Sequence, residues 1–170
     1  MSAPTGLVLP IPVDDTVVIQ SYDLKTGAGG DGGVTANVAY LVRFRVLKAE
    51  TLSSISYWWV STSGNVDVGI YSDDGATYTR LSSNGGTPTP SGGSQIHAVT
   101  FSAAQCVPGI NYAMAFALDS ASVSIRRSAS LLSNGLGIGR QLMAKASSYP
   151  LPATIASASA AGTCPWMAVT

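Results

Sequence analysis

The sequence predicts an all-β fold: an antiparallel β-sandwich of about nine short strands with jelly-roll-like connections. Three observations support this prediction. Apolar and polar residues alternate with the period of a β-strand in several segments, of which Asn65–Ser72 is the clearest. Turn signals recur about every ten residues along most of the chain. The 18 glycines and 9 prolines disfavour long helices, and no segment shows the spacing of an amphipathic helix.

Length and composition indicate one domain that associates with other proteins. A chain of 170 residues fits a single core, which we place at residues 16–170 behind an extended N-terminal arm at residues 1–15. Hydrophobic residues make up 46% of the chain, charged residues only 11%, and the net charge is 0. Such a surface favours self-association and provides no attraction to nucleic acid or an acidic membrane. No apolar run approaches the roughly 20 residues of a membrane helix, and the N-terminus shows no secretion signal, so synthesis in a cytoplasm is expected.

The first fifteen residues are predicted to form an arm that cannot fold alone. Pro4, Pro10 and Pro12 lack the N–H that a sheet or helix requires. Large aliphatic side chains nevertheless recur along the arm, namely Leu7, Val8, Leu9, Ile11 and Val13. The arm must therefore dock on its own domain or on a neighbouring subunit. Under the second alternative, Leu7, Leu9, Ile11 and Val13 are interface residues, and removing the arm weakens assembly but leaves the sandwich folded.

The first half of the domain is predicted to contain five strands: Thr16–Tyr22, Tyr40–Leu47, Leu52–Ser61, Asn65–Ser72 and Thr77–Ser82. In Asn65–Ser72 every second residue is apolar, which is typical of a strand buried on one face. Asp73-Asp74-Gly75 then supplies a residue that tolerates positive φ, as a tight hairpin requires. In Tyr40–Leu47 the aromatic and aliphatic residues face one way, and Arg43 and Arg45 face the other. The glycine-rich stretch Lys25–Gly33 is predicted to be a loop. It is not predicted to bind phosphate, because no helix pattern follows it.

The second half continues the pattern. A polar loop at Ser82–Ser94 precedes a strand at Gln95–Phe101 and a turn at Cys106–Gly109. In the strand Asn111–Leu118, bulky side chains alternate with three alanines, and this methyl face lets another layer approach closely. The remaining strands are Ser122–Arg126, Gln141–Lys145 and Pro165–Thr170, separated by an irregular segment at Arg127–Arg140 and an extended one at Ser147–Thr163. The last strand carries Trp166, and we expect the domain to unfold without it.

Seven segments follow one another in a recognisable order: YLVRFRV, SISYWWVSTSG, NVDVGIYSDDG, QIHAVTFS, VPGINYAMAFAL, YPLPATI and PWMAVT. This order resembles that of the jelly-roll structural modules of tailed bacteriophages, which occur in minor tail proteins, fibre tips and capsid-decorating proteins. The resemblance covers the whole predicted domain and implies a jelly-roll fold and a structural role in a virion. Similar modules bind carbohydrate in other proteins, so the fold alone does not decide the role.

The sequence lacks the residue combinations of an enzyme. His97 is the only imidazole, it lies in a strand-like run between Ile96 and Ala98, and no Gly-x-Ser-x-Gly motif accompanies it. A glycosidase needs two paired carboxylates, whereas the nine acidic residues lie in turns or are scattered. We therefore predict no catalytic activity and no cofactor.

No metal site is predicted. Asp73 and Asp74 offer the oxygen ligands that Ca²⁺ prefers, but Asp residues at this position also serve hairpin geometry, which is the interpretation we favour. Cys106 and Cys164 form no Cys-x-x-Cys pair, so a zinc site is poorly supported. Both cysteines lie beside apolar runs, which favours buried free thiols over the alternative of one disulfide.

The adjacent Trp58 and Trp59 must point to opposite faces of their strand. One fills the sandwich core. The other is covered by residues 127–140, buried in a subunit interface, or exposed as a platform for a sugar ring. Both tryptophans are therefore interface candidates. Arg43, Arg45 and the Arg126-Arg127 pair are either solvated or paired with acids across an interface.

These observations favour a non-enzymatic virion protein. The expected role is an accessory subunit that decorates the capsid, or a minor tail component, attached by its apolar surface and its arm. Decoration is preferred because the chain has no coiled coil or shaft to reach outward. The expected partners are further copies of the chain, with a trimer preferred, and major capsid or tail proteins. The alternative is a carbohydrate-binding adhesin or receptor-binding tip that recognises a host-surface glycan.

Overall fold

A computed structural model describes residues 19–20, 30–60, 64–88, 94–121, 124–128, 142–161 and 164–170. In these residues all regular secondary structure is β-strand. The strands are β1 (Ile19–Gln20), β2 (Gly30–Gly33), β3 (Val38–Phe44), β4 (Glu50–Trp59), β5 (Asn65–Asp73), β6 (Thr77–Ser83), β7 (Thr87–Pro88), β8 (Gln95–Cys106), β9 (Asn111–Leu118), β10 (Ser124–Ser128), β11 (Leu142–Ala146), β12 (Thr154–Ala156), β13 (Ser159–Ala160), β14 (Cys164–Pro165) and β15 (Met167–Val169). None of the described segments forms a helix long and apolar enough to cross a lipid bilayer.

Two antiparallel sheets pack against each other. The first sheet has the order β1-β15-β4-β10-β14, with β2 paired to β10 and β8 paired to β4. The second has the order β12-β6-β5-β9-β3-β11-β13, with β7 paired to β5. The predicted all-β sandwich is therefore confirmed, while its jelly-roll connectivity stays a prediction. The structure contains more strands than the predicted nine, partly because several two- and three-residue strands extend the sheets. The prediction that Lys25–Gly33 is entirely a loop is also wrong, because Gly30–Gly33 pairs with β10 as the strand β2.

The main core lies between the two sheets. Its largest fully buried side chains include Trp59 and Tyr57 from β4, Phe116 and Met114 from β9, and Ile70 from β5. The predicted alternation in the Tyr40–Leu47 segment is confirmed, because Tyr40, Val42, Phe44 and Val46 all belong to this core. Alternation places every second side chain of a strand on the same face, which is why these positions converge.

A second apolar cluster covers the other face of the second sheet. It combines the three alanines of β9 with side chains from β3, the β5–β6 hairpin and residues 147–156, namely Ala39, Leu41, Tyr71, Tyr78, Ala113, Ala115, Ala117, Leu151 and Ile155. The methyl face of β9 thus receives another layer, as predicted. The prediction that β5 is buried on one face only is wrong, because Asp67 and Tyr71 are fully buried beneath this added layer.

The hairpin between β5 and β6 has the predicted chemistry. The Asp73 carboxylate accepts a hydrogen bond from the Gly75 N–H at 2.9 Å. The Asp74 carboxylate accepts bonds from the N–H groups of Ala76 at 2.9 Å and Thr77 at 2.7 Å. Gly75 has a φ of 95°, a conformation that strains any residue with a Cβ atom. The two aspartates therefore serve the turn, as favoured over a calcium site.

The C-terminal strand is part of the first sheet, as predicted. β15 lies between β1 and β4, and Met167 pairs with Tyr57 in register. Of the predicted first strand, the structure describes Ile19–Gln20. The predicted arm at residues 1–15, with Leu7, Leu9, Ile11 and Val13, lies outside the described residues. Of the segment 127–140, which the sequence offers as a cover for one tryptophan, residues 129–140 also lie outside them.

Candidate functional site

The two adjacent tryptophans point to opposite faces of β4, as predicted. Trp59 is fully buried in the core, where its ring meets that of Tyr57 edge to face at a centroid distance of 6.1 Å. Trp58 is half-buried, and its indole N–H donates to the Ser94 hydroxyl at 2.7 Å. The Arg126 guanidinium lies 5.0 Å from the centre of the Trp58 ring, a cation–π arrangement. Of the two tryptophans, only Trp58 therefore has surface left for a partner.

Arg43 and Arg45 also make contacts within the chain. The Arg43 guanidinium forms an ion pair with the Asp73 carboxylate at 2.6 Å, beside the hairpin, and also lies over the Tyr78 ring. Asp73 is almost completely buried, so this pair compensates a carboxylate that has lost its water. Arg45 donates a hydrogen bond to the Asn111 side chain. Both residues therefore have partners without a subunit interface.

Three exposed aliphatic residues, Leu47, Val107 and Ile110, lie in neighbouring loops at one end of the sandwich, and we call this group the apolar end. Leu47 lies between β3 and β4, while Val107 and Ile110 lie between β8 and β9. The two connections run side by side, because Phe44 pairs with Tyr112 and Glu50 pairs with Cys106. The exposed fractions are 97% for Leu47, 48% for Val107 and 43% for Ile110. A group of large aliphatic side chains in water is typical of a contact surface.

A groove opens between the two sheets at the side where β7 faces β8. Tyr57, Thr87, Pro88 and residues 97–100 line it, and its volume is about 290 Å³. The Tyr57 hydroxyl and His97 Nε2 are buried and have no hydrogen-bond partner among the described residues. Burial raises the pKa of Tyr57, so the phenol keeps its proton. The two rings lie 6.3 Å apart, which places two unpaired polar groups at one site.

Asp67 is a fully buried carboxylate with a structural role. It accepts hydrogen bonds from the N–H groups of Leu151 at 2.8 Å and Gly85 at 3.2 Å. Burial raises the pKa of Asp67 above its usual 3.8, and the two N–H donors and the charge of Arg80 oppose that rise. These hydrogen bonds connect β5 to residues 147–156 of the added layer and to Gly85, and each carboxylate oxygen accepts one of them.

Cys106 is a buried free thiol, which agrees with the interpretation favoured from the sequence. Burial raises the pKa of this thiol to about 11, so it remains protonated and unreactive near neutral pH. Within the described part of the chain, no three His, Cys, Asp or Glu side chains are grouped closely enough to hold a metal ion.

No protein-family model matches the sequence, and no curated protein is significantly similar to it.

The apolar end and the groove are both absent from the residues singled out by sequence. In the sequence, Leu47 and Ile110 look like ordinary residues at strand ends. Only the pairing of β3 with β9 and of β4 with β8 brings their loops together. The sequence predicts no catalytic role for His97, and only the β4–β8 register places it opposite Tyr57. The available signal was the presence of apolar residues in turns rather than in strands.

Proposed function

We propose that the chain is a non-enzymatic structural subunit of a tailed-bacteriophage particle. In this proposal it is located in the virion as an accessory protein that decorates the capsid, with a minor tail component as the second position. Its partners are other copies of the chain, arranged as a trimer, and the major capsid or tail protein on which the trimer sits.

The strand order supports the jelly-roll part of this proposal. In the first sheet β1, β15, β4 and β8 are successive neighbours, and in the second sheet β3, β9, β5 and β6 are successive neighbours. Eight strands divided between two sheets in this interleaved order are what a jelly roll requires. A compact module of this kind presents its loops at the two ends of the sandwich, where contacts to a particle surface form.

The apolar end is the observation that carries the assembly role. Three large aliphatic side chains are exposed to water there, although most other large apolar side chains of the described residues are buried in the core. Burying one such side chain contributes roughly 1.5–3 kcal/mol when it is fully removed from water. The net charge of 0 imposes no long-range repulsion between copies. Together these features favour end-on association of copies with one another and with a shell.

The test replaces all three residues of the apolar end by serine in one variant, Leu47→Ser, Val107→Ser and Ile110→Ser. Sedimentation velocity at micromolar concentration should show the natural chain as a trimer and this variant as a monomer. The control variant, Leu81→Ser with Ile96→Ser, removes two exposed aliphatic side chains located elsewhere and should remain a trimer. A natural chain that is strictly monomeric, or an apolar-end variant that sediments like the natural chain, would contradict the proposal.

A further inference from the structure

The groove between β7 and β8 has the size of a site for one small molecule. Its volume of about 290 Å³ is at the lower end of the range for ligand pockets, which is roughly 300–1,000 Å³. One wall comes from the second sheet, with Thr87 and Pro88, and the other from the first sheet, with Tyr57 and residues 97–100. The groove is formed by strand residues, so its shape is set by the sandwich itself.

Two buried polar groups in the groove have no hydrogen-bond partner among the residues that the structure describes. Leaving a buried donor or acceptor unpaired is costly, and most such groups in folded proteins are paired with protein or with water. The Tyr57 hydroxyl both donates and accepts, and His97 Nε2 does one or the other according to the tautomer. The described part of the chain supplies neither group with a partner, so both are available to hydrogen-bond a molecule in the groove.

The remaining lining narrows the chemistry of that molecule. Thr87 and Thr100 add hydroxyl groups at exposed positions, while Pro88 and Val99 add apolar surface. Among the described residues, no Asp, Glu, Lys or Arg lines the groove. A charged ligand would lose water without gaining an opposite charge, so it is disfavoured. A ring that carries hydroxyl groups on its edge and C–H groups on its face can contact both the polar and the apolar residues of the lining.

We infer that the groove binds a small neutral polyol of the size of one sugar ring, with Tyr57 and His97 hydrogen-bonded to its hydroxyl groups. The ligand is either a free polyol or the terminal ring of a glycan. This site is distinct from the apolar end and does not depend on the proposed particle role. The few contacts available in a shallow groove give weak binding, with a dissociation constant in the millimolar range.

His97 is the only histidine in the chain, so the imidazole region of the NMR spectrum contains a single Hε1 signal, which reports directly on the groove. The natural chain is titrated with glucose, galactose, N-acetylglucosamine and myo-inositol, and separately with the methyl glycosides of the three sugars. At least one compound should shift the His97 signal and the amide signals of residues 97–100 in a saturable manner. Glycosides that bind as well as free sugars identify a glycan end, whereas binding of free compounds alone identifies a free polyol.

Two variants test which groups bind. Tyr57→Phe removes one hydroxyl and keeps the ring, and it should weaken binding about three- to tenfold. Thr100→Val changes an exposed residue, so it tests the same site if Tyr57→Phe folds poorly, and it should also weaken binding. The matched control is Tyr78→Phe, which removes a buried hydroxyl from the second apolar cluster and should leave binding unchanged. If no compound produces a saturable shift, the groove holds water only and the inference is overturned. Binding that is unchanged in both groove variants overturns it as well.

Discussion

At the scale of single residues, two aspartates on neighbouring parts of the β5–β6 region have opposite electrostatic environments. Asp67 is fully buried, and burial raises its pKa above 3.8 even though two N–H groups and Arg80 act against that rise. Asp74 is fully exposed in the hairpin, and bonds from the N–H groups of Thr77 and Ala76 lower its pKa. The same side chain therefore makes folding depend on pH in opposite directions at the two positions.

The Asp67→Asn variant should lose about 1–3 kcal/mol of stability, because the new NH₂ group faces a backbone N–H that had an acceptor. A carboxylate whose folded pKa lies above its unfolded pKa stabilises the fold fully below the unfolded value, and this contribution is lost as pH rises through the folded value. The stability difference between the natural chain and the variant should therefore shrink as the pH rises above about 3.8. Urea unfolding at a series of pH values measures it.

The control for this prediction is Asp74→Asn, where the sign is reversed. A lowered folded pKa gives stability that is present above the unfolded value and is lost as pH falls through the folded value. The difference between the natural chain and Asp74→Asn should therefore grow as pH rises. A difference at Asp67 that also grows with pH would show that its carboxylate is stabilised rather than penalised by its surroundings.

At the scale of secondary-structure elements, β9 shows how one strand serves two cores. Its bulky residues, among them Phe116 and Met114, point between the sheets. Its three alanines point to the other side, where Leu151 and Ile155 of the added layer pack on them. The small alanine side chains let the added layer lie close to β9. The stability of the domain should therefore be sensitive to the size of the side chains on this face of the strand.

Enlarging that face should separate the layers. Ala115→Leu adds three carbon atoms at a fully buried position and should cost about 1–3 kcal/mol, because a well-packed interior has no space to receive them. The matched control is Ala103→Leu on β8, an exposed position where the change should stay within about 0.5 kcal/mol. Urea unfolding followed by tryptophan fluorescence measures both. An Ala115→Leu variant as stable as the control would mean that the added layer is loosely packed.

At the scale of the whole molecule, the last residues of the chain complete the first sheet. β15 pairs with β4 on one side and with β1 on the other, so it joins a strand near the start of the domain to a central one. Met167 and Val169 are fully buried, and Thr170 adds a hydrogen bond between its hydroxyl and that of Ser54 at 2.6 Å. The stability of the domain therefore depends on its final strand as much as on its central ones.

Removal of residues 165–170 should unfold the domain, because it exposes one edge of β4 and deletes several buried side chains at once. The graded variant Met167→Ala should remain folded and lose about 2–5 kcal/mol, the cost of a cavity at a buried methionine. Leu81→Ala, at an exposed aliphatic residue outside the apolar end, should change stability by less than about 0.5 kcal/mol. Circular dichroism on heating measures all three. A truncated chain that melts like the full one would show that β15 is dispensable.

Much of the architecture follows from the sequence alone, because it depends on neighbours along the chain. Period-2 alternation identified β3, β5 and β9 and assigned their core faces, since successive side chains of a strand point to opposite sides. The same geometry separated Trp58 from Trp59. Asp73-Asp74-Gly75 identified the hairpin, because its hydrogen bonds join residues two or three positions apart.

Only the tertiary structure decided which polar residues are buried and which loops meet. Asp67 alternates with valines as a surface residue does, and its burial comes from Leu151, 84 positions away. Arg43 and Asp73 pair across 30 positions, and the apolar end joins two loops that are about 60 residues apart, as the pairing of Phe44 with Tyr112 shows. The groove likewise needs β7 and β8 from different sheets. A linear pattern records how apolar each position is, whereas contacts of this kind arise from register and layer packing, which the pattern of any one segment does not contain.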